Sequence, residues 1–210
     1  MKIGVLGTGM VGDAIASKLV ALGHEVMMGS RDANNSKASA WVKRMGARAQ
    51  KGTFADTAAF GEVLFNCTHG TNSLDALSAA GEKSLSGKVL IDVANILQSE
   101  RWRPESLAEQ IQATFPQAKV VKALNTMNCT LMVDPSKLSD SHTVFMSGNN
   151  GDAKKRAREL LQALGWKDII DLGDVTTARA TESYVALWVA LWKALGTVQF
   201  NIKVVRSSAS

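Results

Sequence analysis

Cysteine is scarce: Cys67 and Cys129 are the only two in 210 residues. No disulfide framework can hold such a chain, and a reducing cytoplasm is the expected setting. The two cysteines lack C-x-x-C spacing, and His24, His69 and His142 stand apart, so the sequence offers no metal-ligand cluster. No G-x-S-x-G elbow or paired-carboxylate arrangement points to hydrolysis. Long apolar runs are missing too. The longest nearly uncharged stretch, Tyr184 to Trp192, falls far short of the roughly 20 residues a membrane helix requires, so no membrane partner is expected. Met1-Lys2-Ile3-Gly4-Val5 already reads as a strand, which leaves no expected signal or transit peptide. Lys and Arg outnumber Asp and Glu by 24 to 19, a net charge of +5. The positive residues are scattered, without a basic run interleaved with aromatics. The surplus therefore reads as mild attraction for anionic small molecules and not as a nucleic-acid surface.

What the chain does have is Gly7-Thr8-Gly9-Met10-Val11-Gly12, set between the apolar run Ile3 to Leu6 and a helical stretch that begins near Met10. A strand, tight turn and helix start of this kind aims free backbone N–H groups and the positive end of a helix dipole at one point, which suits a pyrophosphate. Gly7 permits the sharp turn, Gly9 lets the backbone approach the phosphates, and Gly12 lets the helix pack closely on the strand. Val11, Ala14, Ile15, Leu19 and Leu22 are expected on the helix's inner face, and a second strand follows at Glu25 to Met28.

The end of that second strand, Gly29-Ser30-Arg31, selects the cofactor. NAD-specific folds usually place an acid there to accept from the ribose 2′-hydroxyl; this chain offers a hydroxyl and a guanidinium. Ser30 can donate to a 2′-phosphate, Arg31 can grip it with two N–H groups, and Lys37 lies a little further on. One charge-assisted contact of about 1.5–3 kcal/mol gives roughly a ten- to hundredfold preference for the phosphorylated cofactor, so NADP(H) is expected. Asp32 is read as the start of the next helix.

The rest alternates. A helix is expected over Ser36–Met45 with Ala38, Trp41, Val42 and Met45 inward, then a strand over 47–50, a helix over 56–60, and a buried strand over Val63–Cys67 ending in Thr68-His69-Gly70. Cys67 is read as a packed thiol. A strand over 88–92 ends in Val93-Ala94-Asn95, and a loop with Trp102 leads through Pro104 into a helix over 105–114. A sixth strand, Val120–Leu124, ends in Asn125-Thr126-Met127-Asn128. Ligands in open α/β sheets sit outside the carboxyl ends of strands, which makes Thr68, His69, Ala94, Asn95 and Asn125 candidates for the ribose and nicotinamide. Asn125, Thr126 and Asn128 are candidates for the second substrate, with Asn128 equally readable as a turn residue satisfying its own backbone. A hairpin-like or edge strand over 143–147, a helix over 152–164 and a strand over 168–172 complete a Rossmann-type, doubly wound and mainly parallel α/β fold.

Residues 1–174 thus read as an NADP-binding domain, and 175–210 as a helix and tail packing on the sheet or on a second subunit. The helix over Thr176–Leu195 carries a wide apolar face of Tyr184, Leu187, Trp188, Leu191, Trp192 and Leu195, which suggests a homodimer. Beyond Val205 a frayed tail is expected. A hydroxy-acid dehydrogenase would need a proton-transfer lysine on such a helix. Lys193, late in it and among apolar neighbours, reads as a snorkelling side chain. Direct hydride transfer between two stacked rings needs no acid or base, and no catalytic side chain is assigned.

The glycine turn, Val26-Met27-Met28-Gly29-Ser30-Arg31-Asp32, Val120 to Thr126, and a closing helix running into Phe200-Asn201-Ile202-Lys203 together resemble the NADPH-dependent coenzyme F420 reductase family. That fold also forms the cytoplasmic domain of six-transmembrane ferrireductases. The resemblance implies hydride transfer between NADP(H) and a deazaflavin, coenzyme F420, or a flavin, in a homodimer. It places Thr8, Ser30 and Arg31 around the 2′-phosphate, Gly9, Met10 and Val11 at the pyrophosphate, and Asn125 with Thr126 near the stacked rings. The chain departs from the archaeal members in a turn one glycine shorter, in Asn125 where they have histidine, and in a basic residue displaced to Lys37. A non-catalytic NADP(H)-binding sensor, with the tryptophan-rich helix as a protein interface, is the alternative reading.

Overall fold

The computed structural model describes residues 1–96 and 105–207. The expectations placed on Trp102 and Pro104 lie outside these residues. Strands and helices alternate as β1 (Lys2–Leu6), α1 (Met10–Ala21), β2 (Glu25–Ser30), α2 (Ser36–Met45), β3 (Ala49–Thr53), α3 (Phe54–Phe60) and β4 (Val63–Asn66). They continue with α4 (Ser73–Ala80), α5 (Glu82–Leu85), β5 (Val89–Asp92), α6 (Leu107–Thr114), β6 (Lys119–Ala123) and α7 (Cys129–Met132). The last are β7 (Thr143–Ser147), α8 (Gly151–Ala163), β8 (Asp168–Asp171) and α9 (Ala178–Leu195).

The strands form one eight-stranded sheet in the order β3-β2-β1-β4-β5-β6-β7-β8. Neighbours run parallel except β6 and β7, where Lys122 lies opposite Ser147 and Ala123 opposite Met146. The chain order turns back between β1 and β4, so the crevice at their carboxyl ends is the switch point where such folds take ligands. Both sheet faces are covered, which explains why β4 is apolar almost throughout and buried along its whole length. On one face Ile15 and Leu19 of α1, Trp41 of α2 and Leu160 and Leu161 of α8 pack together. On the other are Phe54 of α3, Leu77 of α4, Leu85 of α5 and Leu107 and Ile111 of α6.

The structure corrects several expectations. α1 buries Gly12, Ile15, Ala16, Leu19 and Val20, and half-buried Val11 packs against the core as expected, while Ala14 is only half-buried and Leu22 is exposed past the helix end. The helix is rotated because Gly12 must face the turn: a Cβ there would stand 2.1 Å from the Gly7 carbonyl oxygen. Asp32 does not cap α2. Asn35 does, accepting from the Ala38 amide at 3.1 Å, and Asp32 instead closes a tighter turn by accepting from the Asn34 amide at 2.8 Å. β7 is not an edge, although it pairs antiparallel with the preceding strand β6 in the hairpin-like manner expected. β8 pairs outside it, and Thr143, Val144 and Ser147 are fully buried.

Trp41 is core, as expected, with its indole N–H donating to the Ser17 hydroxyl at 3.0 Å. After α9 the tail returns to the sheet. The Thr143 amide donates to the Ile202 carbonyl at 2.9 Å, and the Asn201 carboxamide bridges His142 and Thr143. Arg206, placed in a frayed tail by the sequence, reaches Asp168 at 3.3 Å. Among the described residues no helix is long and apolar enough to cross a membrane.

Candidate functional site

The glycine turn is built as its spacing demands. Gly7 has φ +118°, open to glycine and strained for other residues, and a Cβ on it would stand 2.6 Å from the Cys67 carbonyl oxygen. Gly9 differs: a Cβ there would meet nothing within 4 Å. It is the N-cap of α1 and supplies no side-chain hydrogen bond, so the first-turn amides of the helix are left uncapped. Met10 at the rim is 82% exposed and Thr8 is half-buried. Every part of this cradle fits a diphosphate: unspent N–H groups, a positive helix end, and clearance over Gly9.

At the end of β2, Arg31 is exposed and has no hydrogen-bond or ion-pair partner among the described residues. Lys37 is likewise exposed, one residue into α2. Ser30 is buried, and its hydroxyl donates to the Asp32 carbonyl. Its oxygen can accept as it stands, and donation to a phosphate requires the hydroxyl to turn. The sequence missed a third cation here. Lys51 of β3 donates to the Ala33 carbonyl at 2.7 Å and pins the loop that carries Arg31. An isolated lysine on a strand carries no signal of such a role.

The carboxyl ends of β4, β5 and β6 form the other half of the cleft. The Thr68 hydroxyl donates to Asn66 Oδ1 at 2.7 Å, and exposed His69 pairs through Nδ1 with the Thr71 hydroxyl at 2.8 Å. Cys67 lies beneath them; burial above all, and then the Asp92 carboxylate, push its thiol far above the ordinary value, as suits a packed and inert sulfur. Asn95 and Asn125 face each other across the gap. Asn95 Nδ2 donates to the Asn125 carbonyl at 2.6 Å, and Asn125 Nδ2 to Asn95 Oδ1 at 3.1 Å. Leu124, just before Asn125, holds φ +64°, a left-handed conformation unfavourable for a branched residue and imposed by the surrounding structure. Thr126 is buried with its hydroxyl unpartnered among the described residues. Asn128 takes its local role, accepting from the amide and hydroxyl of Thr130 at 3.0 Å each and capping α7.

Beneath this floor lies a charged cluster the sequence did not reveal. Lys122 of β6 is 1% exposed and Asp92 of β5 fully buried. Lys122 Nζ stands 2.8 Å from Asp92 Oδ2 and 2.9 Å from Glu182 Oε1 of α9, and it also donates to the Ala94 carbonyl. Burial works strongly against the ammonium, yet the charges and hydrogen bonds of Asp92 and Glu182 hold its pKa above the ordinary lysine value. Glu182 also accepts from the Leu107 and Ala108 amides at 2.8 and 3.1 Å, at the start of α6. A signal was there to read: a lysine inside Val120-Val121-Lys122-Ala123 and an aspartate closing Val89-Leu90-Ile91-Asp92 are charges in buried strands, and such charges need partners.

α9 contributes the rest. Ala178 and Thr181 are buried, but Leu187, Trp192 and Leu195 are 54%, 46% and 55% exposed. Trp188 stacks on Phe200 at 5.5 Å between ring centroids. The Tyr184 hydroxyl and Trp188 indole N–H are covered, without a partner among the described residues.

A glycine turn feeding an uncapped helix at the switch point of a doubly wound sheet defines a dinucleotide-binding protein of the Rossmann class. The family model described as NADP oxidoreductase, coenzyme F420-dependent, matches residues 2–96. A crystal structure from Arthrobacter sp. FB24, provisionally named an F420-dependent NADP reductase, is 47% identical, with 98% of this chain and 100% of that one covered and a TM-score of 0.91. The F420-dependent NADP reductase of Methanothermobacter marburgensis is 28% identical over 210 residues, covering 91% of this chain and 92% of that protein. The rat metalloreductase STEAP3 is 31% identical over 195 residues, or 91% of this chain but 38% of that protein. The chain thus spans less than two fifths of the length of the metalloreductase. It belongs to the family of F420-dependent NADP oxidoreductases.

Proposed function

We propose that the protein binds NADP(H) and catalyses hydride transfer between it and a ring acceptor, coenzyme F420 or a flavin. NADPH supplies two electrons and one proton as hydride at its nicotinamide ring, and the acceptor ring takes them together with a second proton from solvent. The chain's own residues bind and orient. The amides at the start of α1, with Thr8, Gly9, Met10 and Val11 around them, receive the diphosphate; Ser30, Arg31 and Lys37 receive the 2′-phosphate. Thr68, His69, Ala94, Asn95 and Asn125 line the ribose and nicotinamide end. Asn125, Thr126 and Asn128 border the second ring, and the buried, unpartnered Thr126 hydroxyl supports that assignment. The exposed apolar side chains of α9 support a homodimer in which residues 175–210 meet a second copy. Free Cys67 and Cys129 suit a reducing cytoplasm.

The observation that carries this reading is the pairing of the open, uncapped α1 terminus with an exposed guanidinium at the end of β2, where NAD-selective folds carry an acid. The test is to mix purified protein with NADPH or NADH and a panel of F420, FMN, FAD and riboflavin, and to follow absorbance at the nicotinamide band. Oxidation of NADPH in preference to NADH with one of these acceptors is expected. Tight NADPH binding with no oxidation by any acceptor would favour a sensor.

A further inference from the structure

The backbone of Ala94 and Asn95 is held from more directions than any local turn requires. The Ala94 amide donates to Asp92 Oδ1 at 3.3 Å, and the Ala94 carbonyl accepts from Lys122 Nζ. The Asn95 carbonyl accepts from the Gly70 amide at 3.2 Å, and its side chain is paired with Asn125. Behind Lys122 stand Asp92, itself receiving Asn66 Nδ2 at 2.8 Å, and Glu182 at 2.9 Å. A trans peptide points its C=O and the following N–H in opposite directions, and the chain has no cis bonds. With the Ala94 carbonyl turned inward onto a buried ammonium, the Asn95 N–H must point outward, toward the cleft at the ends of β5 and β6. Among the described residues that N–H has no acceptor.

We propose that Lys122 is a positioning residue: by drawing in the Ala94 carbonyl it presents the Asn95 N–H to the carboxamide oxygen of the nicotinamide, and so fixes the rotation of the ring for hydride transfer. This rests on the NADP(H) reading above. A neutral side chain at 122 removes the bond that turns the Ala94 carbonyl inward, and the 94–95 peptide, held then only through its neighbours, presents its donor less firmly. The rest of the cofactor is gripped elsewhere, at the glycine turn and the end of β2, and does not sense the change. Glu182 holds the ammonium from α9 and caps α6, so it acts on the same peptide at one remove.

The test compares two ligands by calorimetry: NADPH, and 2′-phospho-ADP-ribose, the same molecule without its nicotinamide. Wild-type protein should bind NADPH more tightly than the fragment. Lys122→Met should weaken NADPH about tenfold, the scale of one well-made hydrogen bond to a neutral group, and leave the fragment unchanged. Glu182→Gln keeps Lys122 and Asp92 and should show a smaller loss of the same kind; it carries the test alone if Lys122→Met does not fold. Variants that weaken both ligands equally, or that keep the wild-type preference for NADPH, overturn the role given to Lys122 while leaving the cofactor reading intact. Wild-type protein that binds the two ligands equally overturns this role together with the nicotinamide end of the proposed function. Wild-type protein that binds neither overturns both at the glycine turn.

Discussion

The two ends of the cleft solve opposite problems. At the end of β2 the charged groups are exposed and sparsely engaged: Arg31 and Lys37 stand in solvent, and buried Ser30 holds only its own turn. Beneath the ends of β5 and β6 the charged groups are buried or nearly so and paired, with Asp92, Lys122, Glu182 and Asn66 tied into one network. Exposed groups cost the fold little and are available to a ligand, so they set which ligand binds. Buried groups must satisfy one another first, so they set where a ligand's ring can lie. Selectivity and alignment can then be altered separately.

The largest effect expected is on the buried side. Asp92→Ala leaves Lys122 short of its fully buried partner, and removing one member of a buried ion pair costs about 3–5 kcal/mol. Urea unfolding should show a loss on that scale. A loss under about 1 kcal/mol would mean the network is not what stabilises these strand ends.

Next comes the exposed side. Arg31→Ala should weaken NADPH by roughly ten- to hundredfold through a lost charge-assisted contact. Its NADH affinity and its melting temperature should not move. Equal losses for both nucleotides would erase the division drawn above.

Gly9→Ala sharpens the contrast within the turn itself. The added methyl group meets no protein atom within 4 Å, so stability should fall by about 1 kcal/mol or less, the scale of a helix-cap change. NADPH binding should nevertheless weaken markedly, because the space belongs to the phosphates. At Gly12 the same substitution drives a Cβ to 2.1 Å from the Gly7 carbonyl and should destabilise the fold.

The smallest effect lies away from the cleft. Arg179, hydrogen-bonded to Glu109, lowers that carboxyl to about 2 from its ordinary 4.5, aided by Ser106 in the capping box of α6. A depressed carboxyl stabilises the fold above its unfolded value and loses that contribution as pH falls toward the folded one. Wild-type protein should therefore lose stability between about pH 4.5 and pH 2 more steeply than Glu109→Gln does, by melting temperature against pH. Parallel curves would remove Glu109 from the acid limb.

Much of the exposed side was legible because its chemistry is local. A glycine turn after an apolar strand, and Ser30-Arg31 at the end of the next, declare themselves within a few residues, and the structure forms the turn as read. On the buried side the lone charges in apolar strands were legible but their pairing was not, because the partners are distant in sequence: Lys122 lies 30 residues from Asp92 and comes together with Glu182 only in three dimensions. α4 was overlooked because Ser73–Ala80 is short and small-residue-rich, with an apolar stripe supplied mainly by alanines and Leu77. Asp32 was misread because a helix-starting residue also closes an Asx turn, and three more residues pass before α2 begins. β7 looked like an edge because nothing in its five residues announces the strand that docks outside it.

The bond from Glu182 to the Leu107 amide spans 75 residues. All eight strands of the sheet precede Glu182 in the chain. A nascent polypeptide released as far as residue 181 therefore has every strand in hand but an interior ammonium with one counter-charge instead of two, and an α6 whose leading amides lack their acceptor. The final packing of the sheet's middle has to wait for α9 to be translated.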